Sequence, residues 1–76
     1  MNNVDSITGI QLTDYDYIEN KHRFDHVESI DEAIDMYLMD DITLRQLAVY
    51  FSSNGFTKED INMREINNVY NQIHKK

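Results

Sequence analysis

The chain has no cysteine, no proline and no tryptophan among its 76 residues, and only two glycines. Without cysteine there is neither a disulfide nor a thiolate metal site, which fits a reducing compartment. With no proline, no low-complexity linker and no internal repeat, nothing marks a division into two domains. The longest apolar stretches fall far short of the roughly 18 residues that a membrane span requires. The start, Met1-Asn2-Asn3-Val4-Asp5, carries neither a basic region nor an apolar run, so no signal or transit peptide is read there. These absences predict a cytoplasmic protein with no membrane partner.

What remains is short and acidic. A chain of this length buries only about 60% of its unfolded surface, enough for one core. Such a core rarely contributes more than roughly 3–5 kcal/mol, which directs attention to a homo-oligomer or a partner as a further source of stability. The net charge is −7 and is unevenly spread. Up to Asp41, eleven acids face only Lys21 and Arg23; from Ile42 onward, five bases face three acids, so the halves carry −9 and +2. That polarity points to charged partners and says nothing of fold.

Residues 1–9 are polar and aperiodic and are expected to form a flexible leader, leaving 10–76 as one small domain. Ile10 to Tyr17 alternates as a strand does, and His22 to Val27 is expected to pair back on it as a hairpin across Glu19-Asn20-Lys21. Three helices should follow. Ser29-Ile30-Asp31-Glu32 is a capping box, with Ile30, Ala33, Ile34, Tyr37 and Leu38 as the apolar stripe behind it. Thr43-Leu44-Arg45-Gln46 repeats the box, Leu44, Leu47, Ala48 and Phe51 repeat the stripe, and Gly55 suits a left-handed stop. The last helix starts at Thr57 or at Asn62, and its apolar face is Ile66, Val69, Tyr70 and Ile73. The expected class is α+β: a short amino-terminal strand or β-hairpin followed by three short packed helices.

Catalysis finds no foothold in this composition. There is no cysteine, no glycine-rich phosphate loop and no serine motif of the nucleophile-elbow kind, so no catalytic residue is assigned and the protein is not expected to be an enzyme. Metals and cofactors fare no better. Asp14-x-Asp16 opens like a calcium loop but has Ile18 at the fifth position and Glu19 where glycine is needed. His22-x-x-x-His26 has zinc spacing only on a helix, where the two lie about 6 Å apart, against about 13 Å on a strand.

The acids form the main constellation. Glu28, Asp31, Glu32 and Asp35 share the polar side of the first expected helix, and Asp40 and Asp41 stand at its end. Asp14 and Asp16, two apart on a strand, would point to one face, with Tyr15 and Tyr17 on the other. If strand and helix adjoin, these groups make one negative strip with charge spacing comparable to a nucleic-acid backbone. Asp40 and Asp41 look misplaced for stability alone, because a helix carboxyl terminus disfavours anions. Such a strip suits a protein partner with a basic, nucleic-acid-binding surface, and the bland reading is a solvated face that keeps the chain soluble. The rival is a helix-turn-helix regulator built on the carboxyl half, with Arg64, Asn67, Asn68, Asn71, Lys75 and Lys76 facing a duplex. The −9 half would repel that duplex, so direct nucleic-acid binding ranks below protein binding.

Thr13-Asp14-Tyr15-Asp16, a loop of about a dozen residues and then Ser29-Ile30-Asp31-Glu32 opening an acidic helix resembles one module of the ArdA-type antirestriction proteins, over residues 10–61. Those proteins are elongated acidic mimics of DNA. The resemblance implies that Asp14, Asp16, Asp31, Glu32 and Asp35 act as phosphate surrogates. The chain departs from the family in holding a single module's worth of residues, in placing Lys21, His22 and Arg23 in the loop, and in its basic tail. Together these features raise the expectation of a small inhibitor or adaptor, encoded by a phage or mobile element and aimed at a restriction or CRISPR enzyme. An assembly subunit of a larger particle fits the same composition.

Overall fold

The computed structural model describes residues 3–75, which form a small β-hairpin followed by four helices. Strands β1 (Asn3–Val4) and β2 (Gln11–Leu12) pair antiparallel, with Asn3 opposite Leu12 and Val4 opposite Gln11. The helices are α1 (Asp14–Glu19), α2 (Ile30–Leu38), α3 (Leu44–Ser53) and α4 (Met63–Ile73). The molecule measures 38 × 24 × 22 Å.

The described part of the expected leader is folded in. The loop joining the strands is tied by the Asp5 carboxylate, which accepts the Thr8 amide at 2.8 Å and the Thr8 hydroxyl at 2.7 Å. Gly9, at φ +75°, lets its own amide reach the Asp5 carbonyl at 2.8 Å. Asp5 is thereby buried with its carboxylate hydrogen-bonded, and Ile7 is turned into the core. A two-residue ladder has little stability of its own. Here β2 rests on α3, where fully buried Leu12 meets Ala48 and Val49.

The strand expected over Ile10 to Tyr17 stops at Leu12. Thr13 and Asp16 form a reciprocal cap: the Thr13 hydroxyl accepts the Asp16 amide, and the Asp16 carboxylate accepts the Thr13 amide at 2.8 Å. That cap starts a helix where alternation suggested a strand, because the aspartate three residues on can do what glutamate does in the usual box. The second expected strand, His22 to Val27, is a run of turns. Arg23, Asp25 and Val27 donate in succession to the carbonyls of Asn20, His22 and Phe24, leaving no extended edge to pair. The class is α+β as expected, but the hairpin uses earlier residues, and an additional short helix precedes the expected three.

Those three start at caps the sequence marks, at Ser29, at Thr43 and, of the two starts open for the last helix, at Asn62, with Thr57 opening only a turn. Helix α3 is the hub, burying Leu47, Ala48, Val49, Tyr50 and Phe51, which leaves it apolar around most of its circumference. It ends in a Schellman motif. Gly55, at φ +73°, allows the Phe56 amide to reach the Phe51 carbonyl at 3.0 Å, and the Phe56 ring lies edge-on to that of Phe51 at 6.4 Å. Helix α2 packs on α3 through Ala33 and Tyr37. Helix α4 packs on α2, stacking Tyr70 on Tyr37 at 4.8 Å, and has no fully buried residue.

Candidate protein-binding surface

Helix α1 does not present its acids as a strand would. Asp16 is turned inward at 7% exposure and bridges to Arg45 of α3 at 3.1 Å. The hydrogen bond from the Thr13 amide holds its carboxyl below the ordinary aspartate value; burial opposes that shift, and the Thr13 hydroxyl and Arg45 assist it. Asp16 is therefore an internal tie between α1 and α3. Tyr17 is half-buried, its hydroxyl 2.7 Å from that of Ser52. Asp14 and Tyr15 remain on the outside of α1, which packs on α3. The continuous strip expected from two adjoining elements is thus not formed, because Asp16 faces the wrong way.

Asn20 closes the same element. Nearly buried, it donates to the Asp16 carbonyl at 2.8 Å while its side-chain oxygen accepts from Arg23 at 2.6 Å and Gln46 at 3.3 Å. Arg23 is thus held against the end of α1. His22 pairs with Asp25 at 2.8 Å within the turns.

The acids of α2 behave as expected. Asp31, Glu32 and Asp35, with Glu28 just ahead of the helix, are all exposed, and about 100° of rotation per residue sets them side by side on one face. The Ser29 hydroxyl accepts the Glu32 amide at 3.4 Å. The Glu32 carboxylate reaches one residue past the cap, accepting the Glu28 amide at 3.4 Å in place of the Ser29 amide. Among the described residues, no ion pair reaches Glu28, Asp31, Glu32, Asp35 or Asp41.

Asp40 has a structural employment that its position in the sequence conceals. It takes φ +62°, the left-handed place that glycine fills after α3, and the Asp41 amide closes the same motif on the Met36 carbonyl at 2.8 Å. Its carboxylate accepts the Tyr70 hydroxyl at 2.7 Å and lies 3.4 Å from His74 Nδ1, while His74 Nε2 lies 2.9 Å from the Leu38 carbonyl. An acid at this helix end is explained by the clasp it makes with α4. It gives no separate support to a binding role.

The carboxyl half departs from a helix-turn-helix. Helices α3 and α4 are joined by residues 54–62, longer than the three or four residues of that motif, and include the Thr57–Asp60 turn. Asn67 accepts the Tyr37 hydroxyl at 3.3 Å, so it is engaged within the fold. Among the described residues, no cluster of histidine or carboxylate groups is arranged to hold a metal, and no helix is long and apolar enough to cross a membrane. Compared with protein-family models, curated proteins and solved structures, the chain matches none.

Proposed function

We propose that this is a small acidic binding protein, an inhibitor or adaptor, that presents the outer face of α2 to a basic surface on a nucleic-acid-binding protein. The supporting observation is the pairing of Asp31 with Asp35. They stand one turn apart on an exposed face and, among the described residues, neither makes an ion pair, although like charges at that spacing weaken a helix by about 0.2–0.5 kcal/mol. Asp31 and Glu32 also suit the positive end of the helix dipole, but Asp35 lies beyond the first turn and gains little from it. A basic partner would supply the missing counter-charge and associate faster for it.

The DNA-mimic form of this reading, drawn from the resemblance to antirestriction modules, rests on Asp31, Glu32 and Asp35. Asp16 leaves the set because Arg45 already neutralises it. The test is capture of partners from a host lysate by the wild-type chain and by a variant carrying Asp31→Lys, Glu32→Lys and Asp35→Lys. The retained protein should bind the variant with slower association, and its binding to the wild type should weaken as salt rises. Equal capture by both proteins would reduce the acidic face to a solubilising one. Duplex binding lost on Arg64→Ala would favour a DNA-binding regulator instead, and a large assembly in solution would favour a structural subunit.

A further inference from the structure

Beside the acidic face of α2 runs an apolar groove between α2 and α4. Its walls are Ile30, Ile34 and Leu38 of α2, each one turn from the next, and Ile66 and Val69 of α4. Its volume is about 370 Å³, and acids border it on both helices, Asp31 from α2 and Glu65 from α4, with Asp60, whose carboxylate also accepts from Thr57, in the loop ahead of α4. The α4 wall is incompletely covered: Val69 is 38% exposed, and Ile73, one turn further on, is 51% exposed. The apolar stripe of α4 is wider than its packing on α2 uses.

We propose that this groove receives a cationic amphipathic helix of a partner protein, its apolar stripe seated between α2 and α4 and its lysines or arginines against the acidic rims. The inference rests on the reading of α2 as a contact element and adds the shape of what it contacts. A helix is the occupant because the walls are themselves helices with their backbone groups satisfied, so an extended peptide would find no main-chain partners there. Residues about 6 Å apart along α2 also match the anchor spacing of a helix laid alongside. Charge selects the partner. A second copy of this chain would bring its own acidic rims against these, whereas a basic helix complements both.

The probe is a labelled peptide of about 18 residues with leucines at helical spacing flanked by lysines, compared with an isomer whose leucines are spread around the helix. The ordered peptide should bind about tenfold more tightly than the isomer. In the unaltered protein, NMR methyl signals of Ile30, Ile34, Ile66 and Val69 should shift on binding. The pair Val69→Asn and Ile73→Asn, both exposed, should weaken binding by about tenfold with unchanged circular dichroism.

Equal binding of the two isomers, or methyl shifts confined elsewhere, would overturn the groove. If charge reversal on α2 then abolished both bindings, the acidic-face reading would still stand. Equal binding of a peptide with glutamates in place of the lysines would overturn the cationic occupant. Methyl shifts that follow protein concentration without peptide, with a dimer at sedimentation equilibrium, would assign the groove to a second copy and overturn the proposal as well.

Discussion

The Asp40 carboxylate accepts the Tyr70 hydroxyl at 2.7 Å from a backbone held at φ +62°, so one residue both ends α2 and anchors α4. The left-handed backbone is costly for a residue with a Cβ, by roughly 1 kcal/mol, and aspartate is among the few types that adopt it. Replacing it separates the two roles. Asp40→Ala loses the anchor and keeps the strain, whereas Asp40→Gly loses the anchor and relieves the strain. Urea unfolding should rank alanine below glycine by roughly 1 kcal/mol. Gly55→Ala should cost a similar amount, about 1 kcal/mol, through backbone conformation alone, since an added Cβ there meets nothing within 4 Å.

Two of the three phenols that bear on alkaline stability, Tyr37 and Tyr70, lie at the same corner. Burial, followed by the charge of Asp40, raises the Tyr37 phenol above its ordinary value. Burial, followed by Glu32, raises that of Tyr50, and the hydrogen bond to Asp40, followed by burial, the charge of Asp40 and Tyr37, raises that of Tyr70. Each fold-raised phenol holds its proton longer in the folded chain than in the unfolded one. Their stabilisation is complete below about pH 10 and is lost as pH climbs through the folded values. Tyrosinate absorbance and circular dichroism followed together should show unfolding accompanying late ionisation. Asp40→Asn should bring the Tyr70 ionisation to lower pH.

The helices were legible because their signals are local. Ser29, Thr43 and Asn62 each sit where a side-chain oxygen can meet an amide two or three residues on, and that chemistry does not depend on distant neighbours. Helix α1 was misread for a related reason. Over Thr13 to Tyr17, alternation and capping give opposite answers, and the short cap prevails once Arg45 secures the helix from outside. Such long-range partners leave no mark in a sequence. Asp16 looks as exposed as Asp35 until Arg45, far along the chain, is placed beside it, and Asp40 looks idle until Tyr70 and His74 arrive. That the acids of α2 share one exposed face is legible in the sequence, because a helix face follows from spacing alone.

Asp16 predicts the behaviour in acid. Its folded carboxyl lies below the ordinary aspartate value, so its stabilisation is present above about pH 4 and disappears as pH falls through the folded value. Asp16→Asn should lower stability at neutral pH and flatten the acid side of the stability profile. Arg45→Met should have the smaller effect on that slope, because the Thr13 amide contributes most to the shift and remains in place. Chemical denaturation across the acid range distinguishes the two variants. Equal loss of slope would instead make the ion pair the principal support.

Phe51 fixes how much the fold can lose. Its side chain is fully buried in α3, with rings of Tyr50 and Phe56 both at 6.4 Å. Truncating a buried phenylalanine typically costs about 3–5 kcal/mol, the lost transfer energy plus the cavity left behind. A domain of this size has roughly 3–5 kcal/mol available, so Phe51→Ala should be largely unfolded at room temperature. Val69→Ala and Ile73→Ala remove apolar groups of the same helical stripe class from exposed positions and should change stability by only about 0.5 kcal/mol. Thermal melts of the three variants check the contrast. A strong loss at Val69 or Ile73 would mean that α4 packs more deeply than its exposure indicates, closing the groove against any partner helix.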